Sequence, residues 1–314
     1  MRGRGSRGRG VQEGGRRDVD EDELLAGRFE EHRGHLKAVA YRMLGSLGEA
    51  EDAVQEAWLR LGRSDVGAVE NLGGWLTTVV SRLCLDALRS RATRREDPLE
   101  TFIPDPVVSR EAVTDPEQRA MLADSVGLAL MVVLESLSPA ERLSFVLHDM
   151  FAVPFDEIAP LLDKTPVAVR QLASRARRRV RGRAPVPDPD LSEQRRVVDA
   201  FFAAAREGDF DALVSVLHPD IVLRSDGGAG RTRRTVVLGG AGTVASQALM
   251  FSGLSPFVRP ALVNGTAGVV VSEKGRPLSV MAFTVTGGLI VDITAIGNPD
   301  RLASLDLAGI EADS

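Results

Sequence analysis

The chain has 314 residues, 44% of them hydrophobic and 26% charged, which is too long for one small fold and apolar enough for several cores. It has no apolar run near the ~18 residues needed to cross a bilayer. A single cysteine, Cys84, and four histidines exclude an internal disulfide and the usual cysteine-rich zinc sites, so no metal or cofactor is expected. A soluble, cytoplasmic protein without signal peptide, lipid anchor or membrane contact fits. The net charge of −5 hides a strong asymmetry. From Lys164 to Arg183 there are eight Lys or Arg and no acid, a density that suits phosphates better than a salt-bridged solvent face.

Residues 1–23 are Gly, Arg and acids with almost nothing apolar, and are expected to form a disordered extension. Three amphipathic stripes follow: Leu36, Val39, Ala40, Met43, Leu44 and Leu47; then Val54, Ala57, Trp58 and Leu61; then Leu76, Val79, Val80, Leu83 and Ala87. They make a first helical unit over residues 24–97. Pro98, Pro104, Pro106 and Pro116 forbid a continuous helix and predict an extended linker over 98–116. A second helical unit spans 117–183. Its end reads as helix-turn-helix: a short helix from Phe155 to Leu162, a turn at Asp163 to Thr165, and Pro166 opening a helix whose buried stripe is Val169, Leu172, Ala173, Ala176 and Val180. Pro160 threatens a kink in the short helix, and Asp163 tolerates left-handed geometry.

After a short linker at 184–190, residues 191–305 change character, with a tail at 306–314. Helices over Leu191 to Glu207, Phe210 to Leu217 and Gly242 to Phe251 are mixed with β-rich runs ending in Val258 to Val263, Val269 to Ser272, Leu278 to Thr286 and Leu289 to Ile296. Gly275 and Gly287-Gly288 occupy hairpin positions. This is an α+β unit whose curved sheet suits a ligand cavity.

Two helical units with arginine-rich faces on a flexible linker can touch two separated DNA segments, which points to promoters. The segments Glu51-Asp-Ala-Val-Gln-Glu-Ala-Trp58, Trp75-Leu-Thr-Thr-Val-Val-Ser-Arg-Leu-Cys-Leu-Asp86 and Pro166-Val-Ala-Val-Arg-Gln-Leu-Ala-Ser-Arg-Ala-Arg177 resemble extracytoplasmic-function (ECF) sigma factors. Asp226-Gly-Gly-Ala-Gly230 and Asn298-Pro-Asp-Arg-Leu302 resemble the sigma-J-like group, which carries a fused SnoaL-like domain of the NTF2-like fold. The resemblance implies two all-α sigma domains (region 2 and region 4) and a C-terminal α+β cone. It also implies a sigma factor that binds the β′ and β subunits of core RNA polymerase and directs promoter-specific initiation. The fused domain would regulate it through an intramolecular contact, in place of a separate anti-sigma factor.

Glu49, Asp52 and Glu56 lie at i, i+3 and i+7 with Gln55 beside them, an acidic face suited to the basic polymerase coiled coil that the resemblance implies. Arg82, Arg89, Arg91, Arg94 and Arg95 can neutralise phosphates at the minus-10 element. The preceding loop, by resemblance the holder of an extruded base, lacks an aromatic, so Glu70 and Asn71 are its polar candidates. Trp58 and Trp75 read as core anchors. For the minus-35 element, Arg170, Gln171, Ser174 and Arg175 are the expected base readers, with Arg177, Arg178 and Arg181 on phosphate. Phe102-Ile-Pro-Asp-Pro106 stands where relatives carry a Trp-Leu-Pro-Glu-Pro-like element. Phe102 and Pro104, with Asp226, Gly227, Gly228, Asn298, Pro299 and Asp300, are the expected regulatory contacts. Two other readings remain open: a polymerase-independent helix-turn-helix regulator, or a SnoaL-type enzyme with His218, Asp226 or Asp292 as acid or base. The expectation is a protein that is not an enzyme.

Overall fold

The computed structural model describes residues 12–64, 71–94, 102–110, 127–227, 235–307 and 310, with the side chains of 12–22 and 94 left out. Helix α1 (Gln12–Leu44) lays Leu36, Val39, Ala40, Met43 and Leu44 against α2 (Leu47–Leu61) and α3 (Leu72–Arg94). Gly45, at φ +70°, breaks α1 from α2, and the Ser46 side chain caps α2 by accepting from the Glu49 amide. The disordered reading of residues 1–23 is corrected from Gln12 onward, where the chain is already helical. Extending a helix that a packed stripe has nucleated needs no apolar residues of its own. Trp58 lies tilted against Phe29, centroids 5.0 Å apart, and Trp75 packs half-buried against the same core.

The second unit is described from Gly127. Helices α4 (Leu128–Leu134) and α5 (Pro139–Phe145) are followed by a π-helical turn at Val146–Met150. Helix α6 (Phe155–Ile158) tightens into a 3-10 turn at Ala159–Leu161. The tightening falls where Pro160 has no amide to donate, so the short helix is interrupted as its proline foretold. Asp163 turns the chain at φ +52°. Thr165 then caps α7 (Pro166–Arg181), accepting from the Ala168 amide at 3.3 Å.

The C-terminal unit is α+β. Helices α8 (Leu191–Glu207), α9 (Phe210–Val216) and α10 (Ala241–Met250) pack on one face of a seven-stranded sheet. Its strands are β1 (Val108–Ser109), β2 (Leu217–Ser225), β3 (Val236–Gly239), β4 (Val258–Val263), β5 (Thr266–Glu273), β6 (Arg276–Thr286) and β7 (Leu289–Ile296), in the order β1-β4-β5-β6-β7-β2-β3. Among the described residues only the β2–β7 pairing is parallel. Helix α11 (Pro299–Ala303) follows.

Both faces of this sheet are apolar. Val269, Val271, Phe283, Val285, Ile290 and Ile293 face α8 to α10, where Phe201, Phe202 and Phe283 meet edge to face. The alternate residues Ala261, Val263, Val270, Val280, Ala282 and Ile296 join the core of the two helical units. Leu302, Leu307 and Ile310 pack there too, so the tail contributes to the core. The flexible linker expected over 98–116 is the clearest correction. Ile103, Pro104 and Pro106 to Ser109 are buried, and β1 extends the C-terminal sheet by pairing Val108 with Val263 and Ser109 with Leu262. Proline content forbids a helix, but it does not forbid burial when another unit offers an open strand edge.

Candidate DNA and polymerase surfaces

On α2, Asp52 and Gln55 are exposed, and Glu56 is half-exposed in an i,i+4 pair with Arg60. Glu49 is exposed as well, but it is paired with Arg91 of α3. Arg91 also donates to the Leu44 carbonyl at 3.0 Å and lies 5.4 Å over the Phe102 ring. That guanidinium tethers the linker in this arrangement rather than presenting itself to a phosphate. Arg82 and Arg89 remain on the exposed face of α3, while Glu70, Arg95, the Arg94 side chain and Gly228 lie outside the described residues. Asn71 is occupied within the fold, where its side chain accepts from the Gly74 amide at 3.0 Å and starts α3.

On α7, Arg170, Gln171, Ser174, Arg175, Arg178 and Arg181 are exposed. Arg170 is braced by the Phe155 ring 5.5 Å away. Arg177 is pinned by Asp149 at 2.5 Å. Glu141 holds Arg179 at 3.0 Å and lies 3.9 Å from Arg175. Burial alone would raise the Glu141 carboxyl, but hydrogen bonds from the Ser138 side chain and backbone, together with Arg179, hold it below the usual carboxylate range. The same carboxylate completes a capping box with Ser138, so it ties the start of α5 to the end of α7.

The two helical units are packed together. Arg142, almost wholly buried, donates to the Arg42 carbonyl at 3.1 Å and pairs with Glu135. Arg42 in turn lies 4.9 Å over the Phe151 ring, which His35 meets edge-on at 5.2 Å. A cavity of about 70 Å³ in this seam is lined by His35, Gly74, Thr77 and Thr78 on one side and Leu147, Val153, Glu157 and Leu161 on the other. Thus the first helix of the helix-turn-helix lies against the start of α3, where the minus-10 surface was expected. Nearby, burial pushes the Cys84 thiol up to about 12, an inert group.

The linker is locked by a polar hub. The Asp105 amide donates to the Gly45 carbonyl at 2.8 Å, and its Oδ2 accepts from the Leu47 amide at 3.0 Å. Tyr41 donates to the Asp105 carbonyl at 2.6 Å and accepts from Asn264 Nδ2 at 2.8 Å. Burial drives the Tyr41 phenol well above its ordinary value, so it stays protonated and can do both. Asn264 sits in the β4–β5 hairpin at φ +50° and exchanges hydrogen bonds with Val107 at 3.0 and 2.8 Å. Arg301 closes the hub, donating to Asp105 Oδ1 at 2.8 Å and the Ile103 carbonyl at 2.9 Å, 3.5 Å from Asp226.

The two C-terminal motifs meet here. Asp226 Oδ1 accepts from the Gly297 and Asn298 amides at 2.9 and 3.2 Å, and the Asn298 side chain caps α11 through the Asp300 and Arg301 amides. With Pro299 at the first helical position, they aim Arg301 at the linker. Gly227, at φ +78°, turns the chain after Asp226. Phe102 and Pro104 lie against Gly45, where an added Cβ would stand 3.1 Å from the Phe102 ring and 3.0 Å from Glu135. Asp105, Tyr41, Asn264 and Arg301 are the contacts sequence reasoning missed. Asp105 and Arg301 lay inside motifs already singled out, beside the residues expected to make the contacts, and Asn264-Gly265 carried a hairpin signal. Nothing local betrayed Tyr41.

The three acid-base candidates are each committed elsewhere. His218 accepts from the Asp220 amide at 3.1 Å, and Asp226 serves the hub. Asp292 pairs with Arg224 on the sheet face opposite Ile293, and burial raises its carboxyl pKa against the pull of that arginine. They do not form one catalytic centre.

Comparison with known proteins agrees with this geometry. Residues 28–94 match the Sigma-70 region 2 family and residues 127–180 the Sigma-70, region 4 family. The ECF RNA polymerase sigma factor SigJ of Mycobacterium tuberculosis H37Rv is 41% identical over 295 residues, covering 89% of this chain and 93% of the relative. The chain belongs to the ECF sigma factors. The probable ECF RNA polymerase sigma factor SigI of Mycobacterium tuberculosis CDC 1551 is 35% identical over 288 residues, covering 91% and 98%. The crystal structure of Mycobacterium tuberculosis SigJ superposes with a TM-score of 0.73 at 39% identity, covering 90% of this chain and 99% of that one. Sigma factors bind core RNA polymerase and promoter DNA and are not enzymes. Among the described residues no helix is long and apolar enough to cross a membrane.

Proposed function

We propose that this sigma factor is held closed by its own C-terminal domain, which keeps region 2 and region 4 together by gripping the linker between them. The observation that carries the reading is the Asp105 hub, in which one linker residue is bonded to region 2 through Gly45, Leu47 and Tyr41 and to the C-terminal domain through Arg301. In this state the seam lined by Gly74, Thr77 and Thr78 is covered by region 4. Core polymerase engages Asp52, Gln55 and Glu56 on the open face of α2, and opening the linker releases α3 for the minus-10 element and α7 for the minus-35 element. Arg82 and Arg89 then serve the minus-10 duplex, and Arg170, Gln171, Ser174, Arg178 and Arg181 the minus-35 duplex. Arg91, held over the Phe102 ring and paired with Glu49, becomes available when Phe102 leaves.

The test is a point variant rather than removal of the C-terminal domain, because deletion would strip β1 of its partner strand and expose an apolar sheet face. Arg301→Ala should tighten core-polymerase binding and raise transcription from a linear promoter template, since the closed population no longer competes. Unchanged or weaker binding by a folded variant would remove the inhibitory reading. Asp52→Lys with Gln55→Lys should abolish binding in either background, which checks the docking face separately.

A further inference from the structure

One side chain on the outward face of α7 is neither paired nor polar. Val167 is the second residue of the helix and 62% exposed. Arg170, Gln171, Ser174, Arg178 and Arg181 follow it at i+3, i+4, i+7, i+11 and i+14, so it belongs to the same stripe. The Thr165 cap and Pro166 fix the first turn, and a β-branched side chain in a helix keeps essentially one rotamer. Its methyl groups are therefore presented rigidly, in the part of a recognition helix that reaches deepest toward base edges. In the major groove the apolar group that complements such a surface is the 5-methyl of thymine. Arg170, braced on Phe155, and Gln171 flank it with polar reach on either side.

We propose that Val167 reads a thymine methyl in the upstream promoter element, beside the bases contacted by Arg170 and Gln171. The assignment rests on the reading of α7 as the minus-35 helix. Holoenzyme reconstituted from the full chain and core polymerase would first select its upstream element from randomised duplexes. Each thymine of that element would then be replaced singly by deoxyuridine, which removes the methyl and leaves every hydrogen-bonding group in place. At one position the wild type should lose about fourfold in affinity, the worth of one buried methyl. Val167→Ala, a surface change that keeps cap and proline, should bind thymine and deoxyuridine equally at that position and keep its preferences elsewhere. A wild type indifferent to every replacement, or a Val167→Ala variant that keeps the thymine preference, overturns the proposal. Arg170→Ala with Gln171→Ala should erase selectivity in the element altogether. Selectivity that survives this pair would take α7 out of the groove and overturn the underlying reading as well, which separates the two failures.

Discussion

The recognition helix and the linker do opposite things with polar side chains. Helix α7 spreads its arginines over one exposed face and anchors only its edges, through Asp149 and Glu141. The linker buries Asp105 among partners from two other units. An exposed arginine is separated from solvent at little cost and is free to meet phosphate. A half-buried carboxylate must be matched donor by donor, and once matched it resists separation. One region is built for a partner that comes and goes, the other for a state that has to be broken.

The largest effect should follow from breaking the hub. Arg301→Ala leaves the Asp105 carboxylate with its Leu47 amide donor but without its guanidinium, and should cost the closed arrangement roughly 2–3 kcal/mol. Faster amide exchange at Leu47, Asp105 and Val107, with the C-terminal sheet still protected, is the expected signature. A smaller loss, about 1–2 kcal/mol, should come from Gly45→Ala, because that residue needs φ +70° and its new Cβ would crowd Phe102. Thermal unfolding and the same exchange measurement would show it.

Much of the contrast was already written in the chain, unevenly. The face of α7 is local: helical spacing, Thr165, Pro166 and an acid-free run of arginines are all visible within twenty residues. The strands β4 and β7 were equally plain from β-rich runs between turn glycines. The hub depends on residues brought together from positions 41, 105, 264 and 301, and no periodicity links a tyrosine on α1 to a hairpin asparagine. The same blindness made the linker look flexible, since its prolines spoke about backbone and not about the sheet edge waiting for Val108 and Ser109. It also left Glu49 and Arg91 assigned to separate partners, although they meet each other.

Two weaker predictions sharpen the comparison. Asp149→Asn should release Arg177 to phosphate, raising affinity for duplexes of any sequence a few-fold and steepening the salt dependence by about one counterion. Binding titrations at several salt concentrations would reveal a steeper slope with unchanged sequence preference. On the other side of the seam, burial first, then His32 and Arg42, hold the His35 imidazole below its ordinary 6.5. The neutral ring is favoured in the closed state, so its contribution is present above about pH 6.5 and is lost as pH falls through the lowered value. Glu157 lines the same cavity. Acidification should speed exchange in the seam, and His35→Gln should flatten that dependence.

The most direct test is the separation of the two DNA-binding units. Spin labels at Arg60→Cys on α2 and Arg183→Cys beyond α7 would report it, with the buried Cys84 left unlabelled. The free chain should give one narrow, short distance distribution, partly lengthened by Arg301→Ala and fully lengthened by core polymerase. A free chain that is already broad and long, or a short distance that survives polymerase binding, would contradict a sigma factor clamped shut by its own C-terminal domain.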